Sequence, residues 1–138
     1  MVDYKRRVEA EYELIERTLS ILPEKPLSQL SELELGGISI LLSNFYNGIE
    51  NILKQIFKKV DIQLPEGPSW HQNLLLNAVN KNIISTGLAD RIKEYLSFRH
   101  VVAHGYTINL HPERLQELTD NVFDIFDKFK EEINKTII

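Results

Sequence analysis

The sequence contains no cysteine, and only one methionine and one tryptophan, among its 138 residues. Without cysteine, thiol catalysis, disulfide scaffolds and thiolate zinc sites are excluded, and a reducing cytoplasm is the compartment that we expect. No apolar run approaches the roughly 18 residues of a membrane-spanning helix, and the first residues lack the apolar core of a signal peptide. We therefore expect a cytoplasmic protein without membrane contact.

An excess of positive charge is also missing. The chain has 16 Lys and Arg against 20 Asp and Glu, which gives a formal net charge of −4. This balance argues against a protein that coats nucleic acid through a broad basic surface. Two local basic clusters remain candidates for contact with an anion, although such charges more often form a solvated helix face. These clusters are Lys54, Lys58 and Lys59, and Arg91, Lys93 and Arg99.

Helical periodicity runs through most of the chain. Apolar residues recur at spacings of three and four, and no stretch alternates over the length of a strand. Candidate caps are Ser28 or Ser31 for the second helix, and Ser85 or Thr86 for the fourth. The predicted helices cover about residues 2–22, 31–60, 70–79, 86–102 and 112–133, with a tail that frays from residue 134. We predict an all-α bundle of four to five antiparallel helices, formed by a single domain over residues 1–138.

The fourth predicted helix interrupts its own apolar pattern. Its stripe of Leu88, Ile92 and Tyr95 continues to Arg99, where a leucine would be expected. Burying an unpaired guanidinium is costly, so this residue either has a carboxylate partner or lines a groove that an anion can enter. For the first alternative, Glu50 is the partner that we expect.

The residues that follow Arg99 are unusually rich in ionisable groups. His100, His104 and Tyr106 lie within the next seven residues. Arginine can bind a phosphate through two parallel N–H bonds, and histidine, with an unperturbed pKa of about 6.5, exchanges a proton at neutral pH. Such groups could cleave RNA without a metal: a base takes the ribose 2′-OH proton, the oxygen attacks phosphorus, and an acid protonates the leaving oxygen.

The spacing of Arg99 and His104 does not bring them to one face. On a regular helix they lie about 140° apart. Either a break at Gly105 turns His104 round, or two chains pool their residues across a two-fold axis. We favour the homodimer, because a helix with functional groups on its apolar stripe must pack against another surface, and a symmetric copy of the chain is the commonest one.

Arg99, His104 and Tyr106 fit the R-x4-H-x-Y motif of HEPN ribonucleases, and residues 98–104 resemble the HepT toxin branch of that superfamily. The likeness extends to residues 45–53, to residues 69–71 with Leu74 and Leu75, and to residues 112–115. It implies a HEPN-type helical bundle that acts as a metal-independent RNA endonuclease, toxic to its own cell, with RNA as its substrate and no cofactor.

The same resemblance implies a role for each motif residue. Arg99 and His104 become the catalytic pair of a homodimeric cleft, with His100 and Glu50 as auxiliary candidates. Tyr106 becomes the acceptor of AMP from a partner MntA-like nucleotidyltransferase antitoxin, in a type VII toxin–antitoxin system. His100 departs from the Asn or Asp that commonly follows the arginine, so its own role stays open.

Other readings of these residues remain. His71 and His111 are expected to pack or to cap helices, and without an H-E-x-x-H cluster no metal site is expected. The chain could also be a non-catalytic HEPN binding or scaffold module, or could stabilise or inhibit a partner nucleotidyltransferase. The ionisable trio of Arg99, His104 and Tyr106 favours the ribonuclease, since a scaffold does not need it on an apolar stripe.

Overall fold

The computed structural model describes residues 4–103 and 111–136, and this part of the chain is all-helical, with no strand. Its helices are α1 (Tyr4–Ser20), α2 (Glu32–Lys59), α3 (Trp70–Asn80), α4 (Thr86–Ala103) and α5 (Pro112–Thr136), with a short 3-10 turn at Leu27–Gln29. The all-α prediction is confirmed. The predicted break at Gly105 lies outside the described residues, as do His104 and Tyr106.

The predicted fraying from residue 134 is wrong as far as residue 136, because α5 continues to Thr136. The side chain of Ile133 is fully buried and anchors this last turn in the core. Pro112 is the first residue of α5, a position where its missing N–H costs no hydrogen bond.

Serine side chains cap two of the helices. Ser31 begins α2 with a capping box. Its hydroxyl accepts a hydrogen bond from the backbone N–H of Glu34, and the Glu34 carboxylate accepts one from the backbone N–H of Ser31. Ser28, the other candidate, lies in the 3-10 turn. Ser85 caps α4 by accepting from the backbone N–H of Leu88, and Glu132 of α5 accepts from both the N–H and the hydroxyl of Ser85.

The helix ends after α2 and α3 share one geometry. Asp61 and Asn82 take positive φ angles of 59° directly after the helix caps. The next residue then returns a hydrogen bond to the last turn, from Ile62 N to Phe57 O (2.8 Å) and from Ile83 N to Ala78 O (2.9 Å). These Schellman ends stop both helices sharply and turn the chain back onto the bundle.

Helix α2 is the central element of the fold, and it packs against α1, α3, α4 and α5. Edge-to-face aromatic contacts join four of the helices. Phe45 of α2 contacts Tyr95 of α4 and Phe126 of α5. Phe126 also contacts Tyr12 of α1. The first turn of α3 and the last turns of α4 also lie beside α2, where His71 contacts Glu50 and Arg99 approaches the ring of Tyr46. Among the described helices, none is long and apolar enough to cross a membrane.

Candidate functional site

Arg99 lies on the inner side of α4, as the apolar stripe predicts. Its side chain is half-buried, and its guanidinium carbon is 6.0 Å from the centre of the Tyr46 ring on α2. This distance is at the outer limit of a cation–π contact, which uses none of the N–H donors of the guanidinium.

The expected ion pair between Arg99 and Glu50 is wrong. Glu50 is 3% exposed, and its Oε2 atom accepts a hydrogen bond from the Tyr46 hydroxyl at 2.6 Å and contacts Nδ1 of His71 at 2.5 Å. Tyr46 is one helical turn before Glu50, so the two side chains share a face of α2. His71 belongs to the first turn of α3 and satisfies the carboxylate in place of Arg99.

The Tyr46 phenol acts as a hydrogen-bond donor in this cluster. Burial raises the pKa of Tyr46 far above its ordinary value, and the hydrogen bond and negative charge of Glu50 raise it further, while Arg99 opposes the shift. A phenol whose pKa is raised above its ordinary value of 10 is protonated at neutral pH. Tyr46 therefore supports Glu50 and does not itself exchange protons.

His71 is fixed on its other side by aromatic packing. Its ring lies 3.7 Å from the ring of Trp70, centre to centre, and the ammonium of Lys54 lies 4.4 Å from the centre of the same indole. The side chain of His71 is 26% exposed. Packing was the role expected for His71, but the contact with a buried carboxylate goes beyond packing.

A cleft of about 490 Å³ opens between the start of α3 and the last turns of α4. Polar groups line both of its walls, and the α4 wall also carries Lys93. Its lining residues are Pro68, Ser69, His71, Gln72, Lys93, Leu96, Ser97, His100 and Val101. The cleft thus receives His100, which adjoins Arg99 in the chain, and it receives His71, whose position beside α4 does not follow from residue spacing.

The basic clusters separate in the structure. Lys54 covers Trp70, whereas Lys58 and Lys59 are exposed. On α4, Arg91 pairs with Asp124 of α5 at 3.0 Å, and Lys93 lines the cleft. Only part of each cluster therefore adjoins the Glu50 network.

Two further expectations concern histidines and metals. His111 is exposed directly before α5, and its carbonyl accepts from the N–H groups of Arg114 and Leu115, which is the position of a helix cap. Over residues 4–103 and 111–136, no three His, Asp or Glu side chains gather where they could hold a metal ion.

Sequence reasoning missed Tyr46 and His71 as members of the site. The signal within α2 was present, because Tyr46 and Glu50 are polar groups one turn apart on a face that is otherwise apolar. For His71, no spacing rule connects a residue in α3 with one in α2.

Comparison with known proteins agrees with this architecture. A family model described as "HepT-like protein" matches residues 37–137. No curated protein is significantly similar to the chain. A solved structure titled as that of a cytosolic protein of unknown function, YutE from Bacillus subtilis, superposes with a TM-score of 0.67 at 16% identity, over 95% of this chain and 88% of that one. At that identity the superposition supports a shared fold alone. The family model, however, spans more than half of the sequence, and the chain therefore belongs to the HepT-like protein family.

Proposed function

We propose that this chain is the toxin of a type VII HepT/MntA toxin–antitoxin system, and that it is a metal-independent RNA endonuclease. The main support for the proposal is the environment of Arg99, a buried-side guanidinium without a carboxylate partner among the described residues. It lies half-buried on the inner stripe of α4, and Glu50, the carboxylate expected to pair with it, binds His71 and Tyr46 instead. A guanidinium in such a setting is suited to an anionic ligand, for which its N–H donors have the matching geometry.

In the proposed reaction Arg99 binds the scissile phosphate of RNA and stabilises the negative charge that develops there. The ribose 2′-oxygen attacks phosphorus, the bond to the 5′-oxygen breaks, and the products are a 2′,3′-cyclic phosphate and a 5′-hydroxyl. His104 is one of the two groups that carry protons in this reaction. Family membership supports this assignment, because the matched region contains the whole R-x4-H-x-Y motif.

Two further parts of the proposal concern assembly and control. The chain acts as a homodimer, in which the motif residues of both copies meet in one cleft. A partner nucleotidyltransferase antitoxin attaches AMP to Tyr106 and thereby silences the toxin. The physical reason is electrostatic, since a bulky anion beside the cleft repels the RNA phosphate and blocks access.

The test is cleavage of total cellular RNA by the purified protein in excess EDTA. We expect discrete, EDTA-resistant fragments with the wild type and none with Arg99→Ala or His104→Ala. Arg91→Ala is the matched control, because Arg91 is on the same helix but pairs with Asp124, and it should cleave like the wild type. The intact mass of each protein shows whether it carries AMP. If the purified wild type carries AMP, Tyr106→Phe is used in its place.

Absence of cleavage by an unmodified protein would contradict the ribonuclease proposal. The chain would then be better described as a non-catalytic binding module that partners a nucleotidyltransferase. Cleavage that EDTA abolishes would instead contradict the metal-independent mechanism.

A further inference from the structure

The cleft between α3 and α4 has the lining of a site for an anion. Its polar groups are one ammonium, two imidazoles, two hydroxyls and one amide, from Ser69, His71, Gln72, Lys93, Ser97 and His100. Among the residues that the structure describes, no Asp or Glu belongs to this lining. The volume of about 490 Å³ lies in the range of roughly 300–1,000 Å³ that small-molecule sites have. The cleft is therefore large enough for one nucleotide, and its described lining has no group that repels a phosphate.

Lys93 supplies the permanent charge of the cleft. Its side chain is exposed, and over residues 4–103 and 111–136 no carboxylate lies within ion-pair distance of its ammonium. Arg91, two residues earlier, is by contrast paired with Asp124 of α5 at 3.0 Å. A cation without a partner inside the fold, on the wall of a cleft, is suited to an anion that enters from solvent.

The α4 wall of the cleft is a different face of the helix from the one that carries Arg99. Lys93, Ser97 and His100 are spaced by four and three residues, so they share one face of α4. Arg99 is turned by about 100° from His100 around the helix, and its guanidinium lies 6.0 Å from the centre of the Tyr46 ring. A group that binds in the cleft is therefore not the group that binds Arg99.

The α3 wall is held in place before any ligand binds. The Nδ1 atom of His71 is 2.5 Å from Oε2 of the buried Glu50, and its ring is stacked on Trp70. A carboxylate only accepts hydrogen bonds, so the proton between the two atoms belongs to Nδ1, and Nε2 is the nitrogen left for a ligand. Ser69 is the N-cap residue of α3, but its hydroxyl makes no capping hydrogen bond. That hydroxyl is thus a further donor for a ligand.

We propose that the cleft is a subsite for a phosphate of the RNA strand other than the cleaved one, with Lys93 as its main contact; for its ligand the inference rests on the proposed ribonuclease function. RNA has one phosphate per nucleotide, so a strand that crosses Arg99 presents further phosphates beside the cleaved one. Lys93 neutralises one of these, and the hydroxyls of Ser69 and Ser97 donate to its oxygens. No bond forms or breaks in the cleft, so it acts on the affinity for RNA.

The test is a scan of the RNA phosphates by binding. A short 2′-O-methyl oligonucleotide has no attacking hydroxyl, so fluorescence anisotropy in EDTA measures its Kd with the wild-type protein. Each phosphate in turn is replaced by a neutral methylphosphonate. We expect Lys93→Gln to raise the Kd of the unmodified strand by about 3- to 5-fold, as the loss of one exposed ion pair does. Methylphosphonate at one position should raise the Kd of the wild type by a similar factor.

The decisive result is the combination of the two changes. If that phosphate lies against Lys93, the methylphosphonate should have no further effect in Lys93→Gln, because the contact is already lost. Lys128→Gln is the matched control, since Lys128 lies on α5 beside Asp124 at 3.8 Å, and its scan should equal that of the wild type. Arg99→Ala should keep the position that responds to Lys93. Thermal melting of each variant checks that it is folded.

The outcomes separate this inference from the function on which it rests. If Lys93→Gln binds like the wild type, or if its effect adds to that of every methylphosphonate, the subsite is wrong, and cleavage of ribose RNA still decides the ribonuclease. If the predicted non-additivity is found but ribose RNA stays intact, the ribonuclease fails and the cleft remains an RNA contact. If a mononucleotide such as UMP competes as strongly as the strand, the cleft is a mononucleotide site and the subsite is wrong. A protein that does not bind RNA at all contradicts both proposals.

Discussion

Glu50 is the only buried carboxylate in the described residues, 4–103 and 111–136. Removing a carboxylate from water is costly unless donors replace the lost hydration. Here two donors converge on one oxygen, one from the same helix and one from α3. These two hydrogen bonds offset the free-energy cost of burying Glu50, and the carboxylate in turn holds the ring of His71 in place.

The hydroxyl of Tyr46 should contribute more to stability than that of a buried tyrosine bound to a neutral acceptor. Tyr46→Phe removes a donor to a buried carboxylate, whereas Tyr95→Phe removes a donor to the carbonyl of Leu118. We expect the free energy of unfolding to fall by about 1.5–3 kcal/mol in the first variant and by about 0.5–1.5 kcal/mol in the second. Urea denaturation measures both, and equal losses would argue against an ionised Glu50.

Gly48 marks a close approach between α1 and α2. A Cβ atom there would lie 2.6 Å from Cγ1 and 2.7 Å from Cδ1 of Ile15, which is itself 2% exposed. We expect Gly48→Ala to lower the free energy of unfolding by about 1–3 kcal/mol, as overpacking does elsewhere. Gly37→Ala is the matched control, because Gly37 lies in the same helix and a Cβ atom added there would have no neighbouring atom within 4 Å.

In the control, alanine should raise stability by about 0.5–1 kcal/mol through helix propensity alone. Thermal or urea unfolding of the pair gives the comparison. A Gly48→Ala protein as stable as Gly37→Ala would mean that α1 moves away from α2 without cost.

The ends of the helices determine where the site residues lie. The Schellman end at Asp61 turns the chain after α2, and the loop that follows returns it to the bundle. Helix α3 then begins beside α2, with Trp70 against Lys54 and His71 against Glu50. The bond network of Ser85 and Glu132 fixes the start of α4 against α5. Both walls of the cleft thus depend on local turn and cap chemistry.

The capping box of α2 makes a pH-dependent contribution to stability. Hydrogen bonds from Ser31 lower the pKa of Glu34 below its ordinary value of 4.5, with the backbone donor as the largest cause and Lys25 adding a smaller effect. Because the pKa is lower in the folded state, the contribution is complete above 4.5 and is lost as the pH falls through the lowered pKa.

We expect Ser31→Ala to cost about 1 kcal/mol of stability at neutral pH, the usual effect of losing an N-cap. Ser28→Ala is the control, since Ser28 lies in the 3-10 turn and should change little. NMR titration of the Glu34 carboxyl should find its pKa closer to 4.5 in Ser31→Ala than in the wild type. An unchanged titration would contradict the reciprocal box.

The protein as a unit is acidic, with a net charge of −4, yet Lys93 and the imidazoles of His71 and His100 line the cleft between α3 and α4. RNA should therefore be attracted locally and repelled elsewhere. Salt dependence measures this difference, since each phosphate contact with a single strand contributes about −0.7 to the slope of log K against log[salt].

For RNA bound to the inactive His104→Ala protein we expect a shallow slope that corresponds to about two or three phosphate contacts. Lys93→Gln should reduce the magnitude of that slope by about 0.7, because Lys93 lines the cleft. Lys128→Gln, on α5 beside Asp124, should leave the slope unchanged. Fluorescence anisotropy at a series of KCl concentrations gives these slopes. If Lys93→Gln and Lys128→Gln change the slope equally, RNA does not bind in the cleft.

Much of the architecture was predictable from local pattern. The apolar spacing located the helices to within a few residues, and Ser31 and Ser85 were among the expected caps. These features depend on residues within one or two turns of each other, which a sequence displays directly. Arg99 on the inner stripe of α4 was predictable for the same reason.

The partner of Glu50 was not predictable in this way. Arg99 was the expected partner, but the carboxylate binds Tyr46 and His71. Charge alone favoured the arginine, and only the packing of α3 against α2 brings an imidazole to that oxygen. His71 is 21 residues from Glu50 along the chain, with a loop between them.

The residues therefore determine the helices, their caps and the ionisable groups that the chain carries, because these follow from short-range periodicity and side-chain chemistry. The tertiary structure decides which of those groups meet. Burial of the apolar faces drives α2, α3 and α4 together, and that packing places His71 on Glu50 and Arg99 near the ring of Tyr46.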